Sequence, residues 1–335
     1  MLVDIVRFNG CLSFKTEKSL VQNWGNRVGS RPNQRPVSRQ GNPRGEALYA
    51  RIGLDLAAGR SVEAIVGWVQ GEYQRVPETR FALKKHRGLQ VALVVPHIDD
   101  ELYGAELLAA AMPAGVARYT SGEAGKDGTD PHPNPHALGE RRRRDGEKSA
   151  QALGYDTHYF YPVDPERTLD SGFTTDPAEA RRVWQSRGDP DNRHHGLARL
   201  VQLTDEWIRV QKPAVVARFS RLGDGHHGPA SHGDHVVSAE VVQLAVLTAS
   251  VDLGDPGRSN AYRVPAEVAF APSHVKPDLV VEPRTGARAR GIQPYVGNQF
   301  TTEEAKRFVA MPEGYLLEGS GEDEQRRIVS SILEQ

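Results

Sequence analysis

From about residue 89 onward, short apolar runs alternate with longer stretches of helical periodicity, and no other feature constrains the fold as strongly. The runs lie at 91–95, 115–120, 157–161 and 214–219; helical patterns lie at about 101–111, 140–153, 196–210 and 235–248. Short strands separated by helices long enough to cross over predict a Rossmann-like α/β fold, a mostly parallel sheet with helices on both faces. In open sheets of this kind ligands bind beyond the carboxyl ends of the strands. The residues that follow each run are therefore the first to search for chemistry.

Ahead of this pattern, residues 30–45 are rich in Pro, Arg, Asn and Gly with no apolar period, as in an exposed arm. Leu48, Ile52 and Leu56, then Val62, Ile65, Val66 and Val69, recur at helical spacing and break at Gly59, which predicts a helical pair. The expected division is an N-terminal arm and helical extension over 1–88, a catalytic domain over 89–300 and a C-terminal helical segment over 301–335. Hydrophobic residues make up 38% and charged residues 25% of the 335, the balance of a soluble folded chain. A formal net charge of −1 supplies no global field for nucleic acid or an anionic membrane. The single cysteine, Cys11, excludes an intrachain disulfide and a thiolate metal cluster. The opening MLVDIVRFNGCLSF lacks the basic start and unbroken apolar stretch of a signal peptide, and no apolar run is long enough to cross a bilayer. The expectation is a cytoplasmic protein acting on a small molecule.

Two clusters follow strands. After 91–95 come His97, Ile98, Asp99, Asp100 and Glu101; after 214–219 come a Gly- and His-rich loop and then His232, Gly233, Asp234 and His235 at the start of a helix. Taken singly, Asp-Asp after a strand is often a helix cap and a loop histidine is often solvated. Together, at one sheet edge, they offer two imidazoles and a carboxylate to a divalent cation, with one carboxylate left over as a base. A two-His, one-carboxylate set leaves a fourth position for water, the arrangement of a catalytic zinc site.

At these residues the chain resembles the LmbE/PIG-L family of zinc N-deacetylases, whose motifs read His-Pro-Asp-Asp-Glu and His-Pro-Asp-His. Both prolines are replaced here, by Ile98 and Gly233, while the ionisable positions are intact. Residues 120–125 are similar to the family's Thr-x-Gly-Glu-x-Gly loop, and the arginine run before Leu153-Gly154 is similar to its Arg-bearing helix. Asp170-Ser171-Gly172 is similar to a substrate-loop motif of mycothiol-pathway deacetylases, and 295–299 to a Tyr-x-Ser-Gln element with one residue more. The resemblance covers roughly 89–300. It implies Zn²⁺ on His97, Asp100 and His235, Asp99 as general base and then acid, and His232 as stabiliser of the oxyanion. It further implies that Asp234 holds the orientation and charge of His232.

Arg142, Asp170 and Glu123 are the candidate substrate contacts, with Arg142 chosen from the run 141–144 by its distance from Leu153-Gly154. His226, His227, His132, His136, His194 and His195 read as loop or surface residues. Residues 122–126 lack the spacing and the Ser or Thr of a phosphate loop, which removes nucleotide binding. The reaction expected is hydrolysis of an N-acyl amide, most simply N-acetyl, on an amino sugar or a sugar-bearing natural product. The alternatives are an amidase of a larger acyl conjugate and a metal-dependent binding module without turnover.

Overall fold

The computed structural model describes residues 42–77, 87–111, 113–125, 128, 130, 132–161, 168–188, 196–223, 232–253, 261–283, 286–317 and 322–334. Strands β1 (Val91–Val95), β2 (Ala114–Arg118), β3 (Asp156–Tyr159), β4 (Val215–Phe219), β5 (Ala266–Phe270), β6 (Leu279–Val281) and β7 (Glu313–Leu317) form a seven-stranded sheet in the order β3-β2-β1-β4-β5-β7-β6. The first five pair in parallel and β7 runs antiparallel to both its neighbours.

β1 is buried along its whole length, and its two faces enter different cores. Ala92 and Val94 pack with α1 (Pro43–Ala57), α2 (Val62–Glu72), α5 (Pro177–Arg187), α6 (Gly196–Gln211) and α7 (Gly233–Ala249). Val91, Leu93 and Val95 pack with α3 (Ala105–Ala110), the end of α4 (Pro135–Leu153), α8 (Ala287–Gly291) and α10 (Glu322–Leu333). A strand covered on both faces needs no polar alternation, which is why 91–95 reads as a continuous apolar run. The mostly parallel sheet with helices on both faces is thus the fold expected from the alternation.

The helical pair forms at 43–57 and 62–72, capped by Asn42 and Ser61. Its apolar positions Leu48, Ile52, Leu56, Ile65 and Val69 belong to the same core as one face of the sheet. Gly53 lets α1 approach α6, where a Cβ would fall 2.6 Å from that of Ala198. Buried Asp205 of α6 accepts a 2.5 Å hydrogen bond from the Tyr49 hydroxyl and is paired with Arg209.

The segment 301–335, expected to be helical, carries a strand as well as two helices. Between α9 (Thr302–Val309) and α10 lies β7, inserted between β5 and β6. Glu313, Tyr315 and Leu317 alternate inward, a period of two confined to five residues between helical patterns. Glu313 accepts from the Glu106 backbone N–H at 2.8 Å and the Tyr315 hydroxyl at 2.6 Å, and pairs with Arg288 at 3.1 Å. Burial nevertheless pushes its carboxyl up to about 7, against the pull of Arg288. A carboxyl raised in the folded state contributes fully below its unfolded value near 4.3 and loses that contribution as pH rises towards about 7. Glu313→Gln removes this loss. The stability difference between variant and parent, from urea unfolding, is expected to move in the variant's favour by roughly 2–3 kcal/mol between pH 4.5 and 7.5. A difference independent of pH would remove Glu313 as its source.

No helix among the described residues is long and apolar enough to cross a membrane.

Candidate metal centre and active site

The sheet order reverses direction between β1 and β4, which are parallel neighbours: β2 and β3 continue to one side and β5 to the other. Helices leaving the two strands diverge to opposite faces and open a crevice at their carboxyl ends. Residues 97–101 enter it from β1, and 232–235 enter it at the start of α7, the helix that follows β4.

The turn after β1 is held in an unusual shape. Asp99 has φ 93°, a left-handed conformation rare for a residue with a side chain. Its backbone N–H donates to Glu101 at 3.0 Å. Glu101 is itself fully buried, paired with Arg118 at 3.1 Å and accepting from the Tyr295 hydroxyl at 2.5 Å. Ile98 is buried in a cluster with Leu102, Ile292 and Tyr295, so packing supplies the rigidity that a proline ring would give there. Gly233 in place of the other proline also has a use. Its N–H donates to the Thr174 carbonyl at 2.8 Å, a bond proline cannot make, and a Cβ there would crowd Ala180 at 3.0 Å.

His97, Asp100 and His235 are buried, with one nitrogen or oxygen from each lying within 4.8 Å of the others. His97 Nδ1 is 3.2 Å from Asp100 Oδ2, and His235 Nε2 is 3.3 Å from Asp100 Oδ1. Two nitrogens and a carboxylate gathered within 4.8 Å are a donor set that suits a zinc ion. Burial disfavours a charged His97, but hydrogen bonds to Asp100 and Asp234 hold its imidazole well above the usual range. Asp100 is held below the usual carboxylate range by His235 and His97, against burial. Phe219, at the end of β4, stacks on His235 with centroids 4.0 Å apart and fixes that ring from behind.

Asp99 is partly exposed, and among the described residues no hydrogen bond holds its carboxylate. Burial and the adjacent Asp100 push it up to about 7, while Arg142 pulls it down. His232 lies beside His97 and His235, with ring centroids 4.8 Å and 5.1 Å away. Its Nδ1 accepts from the backbone N–H of Asp234 at 3.2 Å, which leaves Nε2 as the protonated, donating nitrogen of a neutral ring. Burial first, then the charges of His97 and His235, push His232 down to about 4.

The expected hold of Asp234 on His232 takes a different form: its backbone N–H donates to the ring and its charge acts on it, while its carboxylate lies 3.1 Å from His97 Nε2. His232 caps α7 and its ring folds back over the first turn, whereas the Asp234 side chain, buried within that turn, faces across the crevice towards β1.

Of the candidate substrate residues, Arg142 lies against the 122–125 loop: a Cβ on Gly122 or Gly125 would collide with its guanidinium. Its neighbour Arg143 is tied to the Ser121 hydroxyl at 2.7 Å and to the Tyr161 carbonyl, and Arg144 is exposed. Glu123 and Asp170 are turned inward. Glu123 accepts from the Ser121 N–H and the Thr168 hydroxyl, and Asp170 from the Ala124 and Gly172 N–H groups. These bonds tie loop 120–125 to loop 168–172, and Asp170 remains 4.0 Å from His97 Nε2. Sequence reasoning missed Trp184, whose indole N–H donates to Asp234 at 2.9 Å. Asp176-Pro177, a cap followed by proline at the first helical position, signals the start of its helix, α5. His132 precedes α4 and His136 lies in its first turn, and His194, His195, His226 and His227 lie outside the described residues.

Residues 92–246 match the family model described as PIG-L: GlcNAc-PI de-N-acetylase. Among solved structures, the N,N'-diacetylchitobiose deacetylase of Pyrococcus horikoshii is 17% identical, with 69% of this chain and 84% of that chain covered at a TM-score of 0.49. A conserved protein of Thermus thermophilus is 18% identical over 70% of this chain and 96% of that chain, TM-score 0.47. GalB, the 4-carboxy-2-hydroxymuconate hydratase of Pseudomonas putida, is 16% identical over 69% of this chain and 97% of that one, TM-score 0.48. At these scores the likenesses carry no argument about activity. No curated protein is matched.

Proposed function

We propose that the chain is a Zn²⁺-dependent N-deacetylase of an amino sugar or a glycosylated natural product, a reading supported by the match of residues 92–246 to the PIG-L family model. One observation carries the proposal: three buried ligand groups, a partly exposed carboxylate and a neutral imidazole converge at the β1/β4 edge. In this reading His97, Asp100 and His235 would hold the ion, and the chemistry it would supply is polarisation of the acyl carbonyl and acidification of water. Asp99 accepts the proton of the attacking water and returns it to the departing amine nitrogen. His232 donates its Nε2–H to the carbonyl oxygen as negative charge develops there. Arg142, beside Asp99 and the glycines of loop 122–125, is the proposed substrate contact, with Glu123 and Asp170 shaping the loops around it.

The binding module is disfavoured because holding a metal requires neither Asp99 nor His232. A specific observation favours the amidase of a larger conjugate as second reading. Phe173 is 56% exposed with its ring 6.5 Å from that of His232, which places an apolar surface beside the proposed carbonyl position. The division at residue 88 remains part of the proposal, with α1 and α2 shaping the entrance. The Glu63–Arg221 ion pair at 2.5 Å, joining α2 to the loop after β4, supports it.

Zinc-loaded protein is expected to release free amine from N-acetylated amino sugars. Metal analysis of the purified protein is expected to give one tightly held zinc per chain, lost in His235→Ala. Unchanged stoichiometry in that variant would take His235 off the ligand set. Bound zinc with no amine released from any N-acyl sugar would favour the binding module.

A further inference from the structure

We infer that Asp234, held by Trp184 and Ser171, is a positioning residue that presents His97 to the metal; this rests on the zinc-site reading above. Four donors meet the Asp234 carboxylate. Oδ1 accepts from the Ser171 hydroxyl at 2.7 Å and the Trp184 indole N–H at 2.9 Å. Oδ2 accepts from the Ser171 backbone N–H at 2.9 Å and lies 3.1 Å from His97 Nε2.

Asp234 is fully buried, and the Ser171 N–H, the Ser171 hydroxyl and the Trp184 indole N–H all donate to its carboxylate. The carboxylate therefore accepts, and His97 Nε2 must carry the proton. With a cation in place of the Nδ1 proton, an imidazole that keeps its proton on Nε2 would present its Nδ1 lone pair to the ion, and Nδ1 is the nitrogen 3.2 Å from Asp100. The hydrogen bond on the far side of the ring thus selects the tautomer and the tilt that the ligand set requires, and raises the basicity of the coordinating nitrogen.

The same geometry decides between two roles for Asp234. His97, His232 and Asp234 also bring potential ligand atoms within 4.8 Å of one another, the outline of a second cation site. Each Asp234 oxygen already accepts two hydrogen bonds, and a cation there would have to displace N–H and O–H groups fixed by α5 and by loop 168–174. The carboxylate serves as an anchor.

Trp184 is the part of this arrangement that lies far from the motifs. It is fully buried on α5, packed with its ring centroid 5.1 Å from that of Tyr119. Its indole N–H would be an unsatisfied buried donor without Asp234, and Asp234 an under-solvated carboxylate without it. Ser171 supplies the other two donors from a loop whose next residue, Gly172, takes a positive φ of 73°. Two separate elements therefore clamp one carboxylate against one imidazole.

The test is Zn²⁺ affinity of the full chain, measured by competition with a chromophoric chelator, together with the visible spectrum of the Co²⁺-loaded protein. Asp234→Asn is expected to weaken Zn²⁺ binding by about 10–100-fold, and Trp184→Phe by about tenfold. Both should alter the Co²⁺ absorption bands, which report ligand geometry. Tyr119→Phe is the control: it breaks the 2.7 Å contact with Thr204 in the same core without touching Asp234, and should leave affinity within twofold. Ser171→Ala removes one donor from a surface loop and should weaken Zn²⁺ several-fold even if Trp184→Phe does not fold. Parental affinity and spectrum in Asp234→Asn and Ser171→Ala would overturn the inference, and so would a loss in Tyr119→Phe equal to that in Trp184→Phe. Failure of the parent protein to bind Zn²⁺ would instead sink the metal-site reading itself.

Discussion

Asp99→Asn is expected to keep its zinc and to lose about three powers of ten in turnover, within the range for removing a general base. Asp100→Asn is expected to do the opposite and lose the metal. The two side chains are chemically the same, and the backbone separates them. The left-handed turn at Asp99, pinned by Glu101, leaves its carboxylate partly exposed, while Asp100 turns inward to His97 and His235. The pH dependence follows with a definite sign. Burial and Asp100 push Asp99 up to about 7, so the ionised base is lost as pH falls through that region. A cation on Asp100 cancels part of the repulsion and moves the limb lower. Parental kcat/KM should therefore fall on the acid side with unit slope from about pH 7 or below, and the residual activity of Asp99→Asn should be flat there. Zinc lost from Asp99→Asn and retained by Asp100→Asn would exchange the two assignments while leaving the hydrolase proposal standing.

How much of this was legible in the sequence depends on whether a residue acts through its neighbours in the chain or across the fold. The strands at 91–95 and 214–219 were legible because burial on both faces leaves an unbroken apolar run, and the two clusters after them because the strand ends deliver them to one edge. β7 was not, since five alternating residues between helices carry little periodic signal. Among site residues, His97, Asp100 and His235 were named from motif and placement together. The bond from the Asp234 carboxylate towards His97 was not legible, because the resemblance spoke only of His232 and the first turn of α7 directs the carboxylate elsewhere. Trp184 carries no motif; only the packing of α5 against α7 brings its indole to Asp234, 50 residues away in the chain. Glu123 and Asp170 were read as candidate substrate contacts, but their orientation towards backbone amides is set by loops whose closure no spacing reports.

His232→Ala is expected to keep its zinc and lose two to three powers of ten in turnover, the scale for removing one oxyanion-stabilising donor. The direction of its hydrogen bond makes the expectation specific. Because the Asp234 N–H occupies Nδ1, the ring offers Nε2–H as a neutral donor and needs no second proton to do so. With its pKa pushed down to about 4, His232 stays neutral throughout the working range, and a bound cation nearby disfavours its protonation further. The ratio of parental to His232→Ala turnover should therefore be the same at pH 6 as at pH 8. A ratio that shrinks as pH rises would mean that an imidazolium carries the effect, with a pKa inside that interval. Loss of zinc from the variant would make His232 a ligand and leave the developing negative charge without its proposed donor.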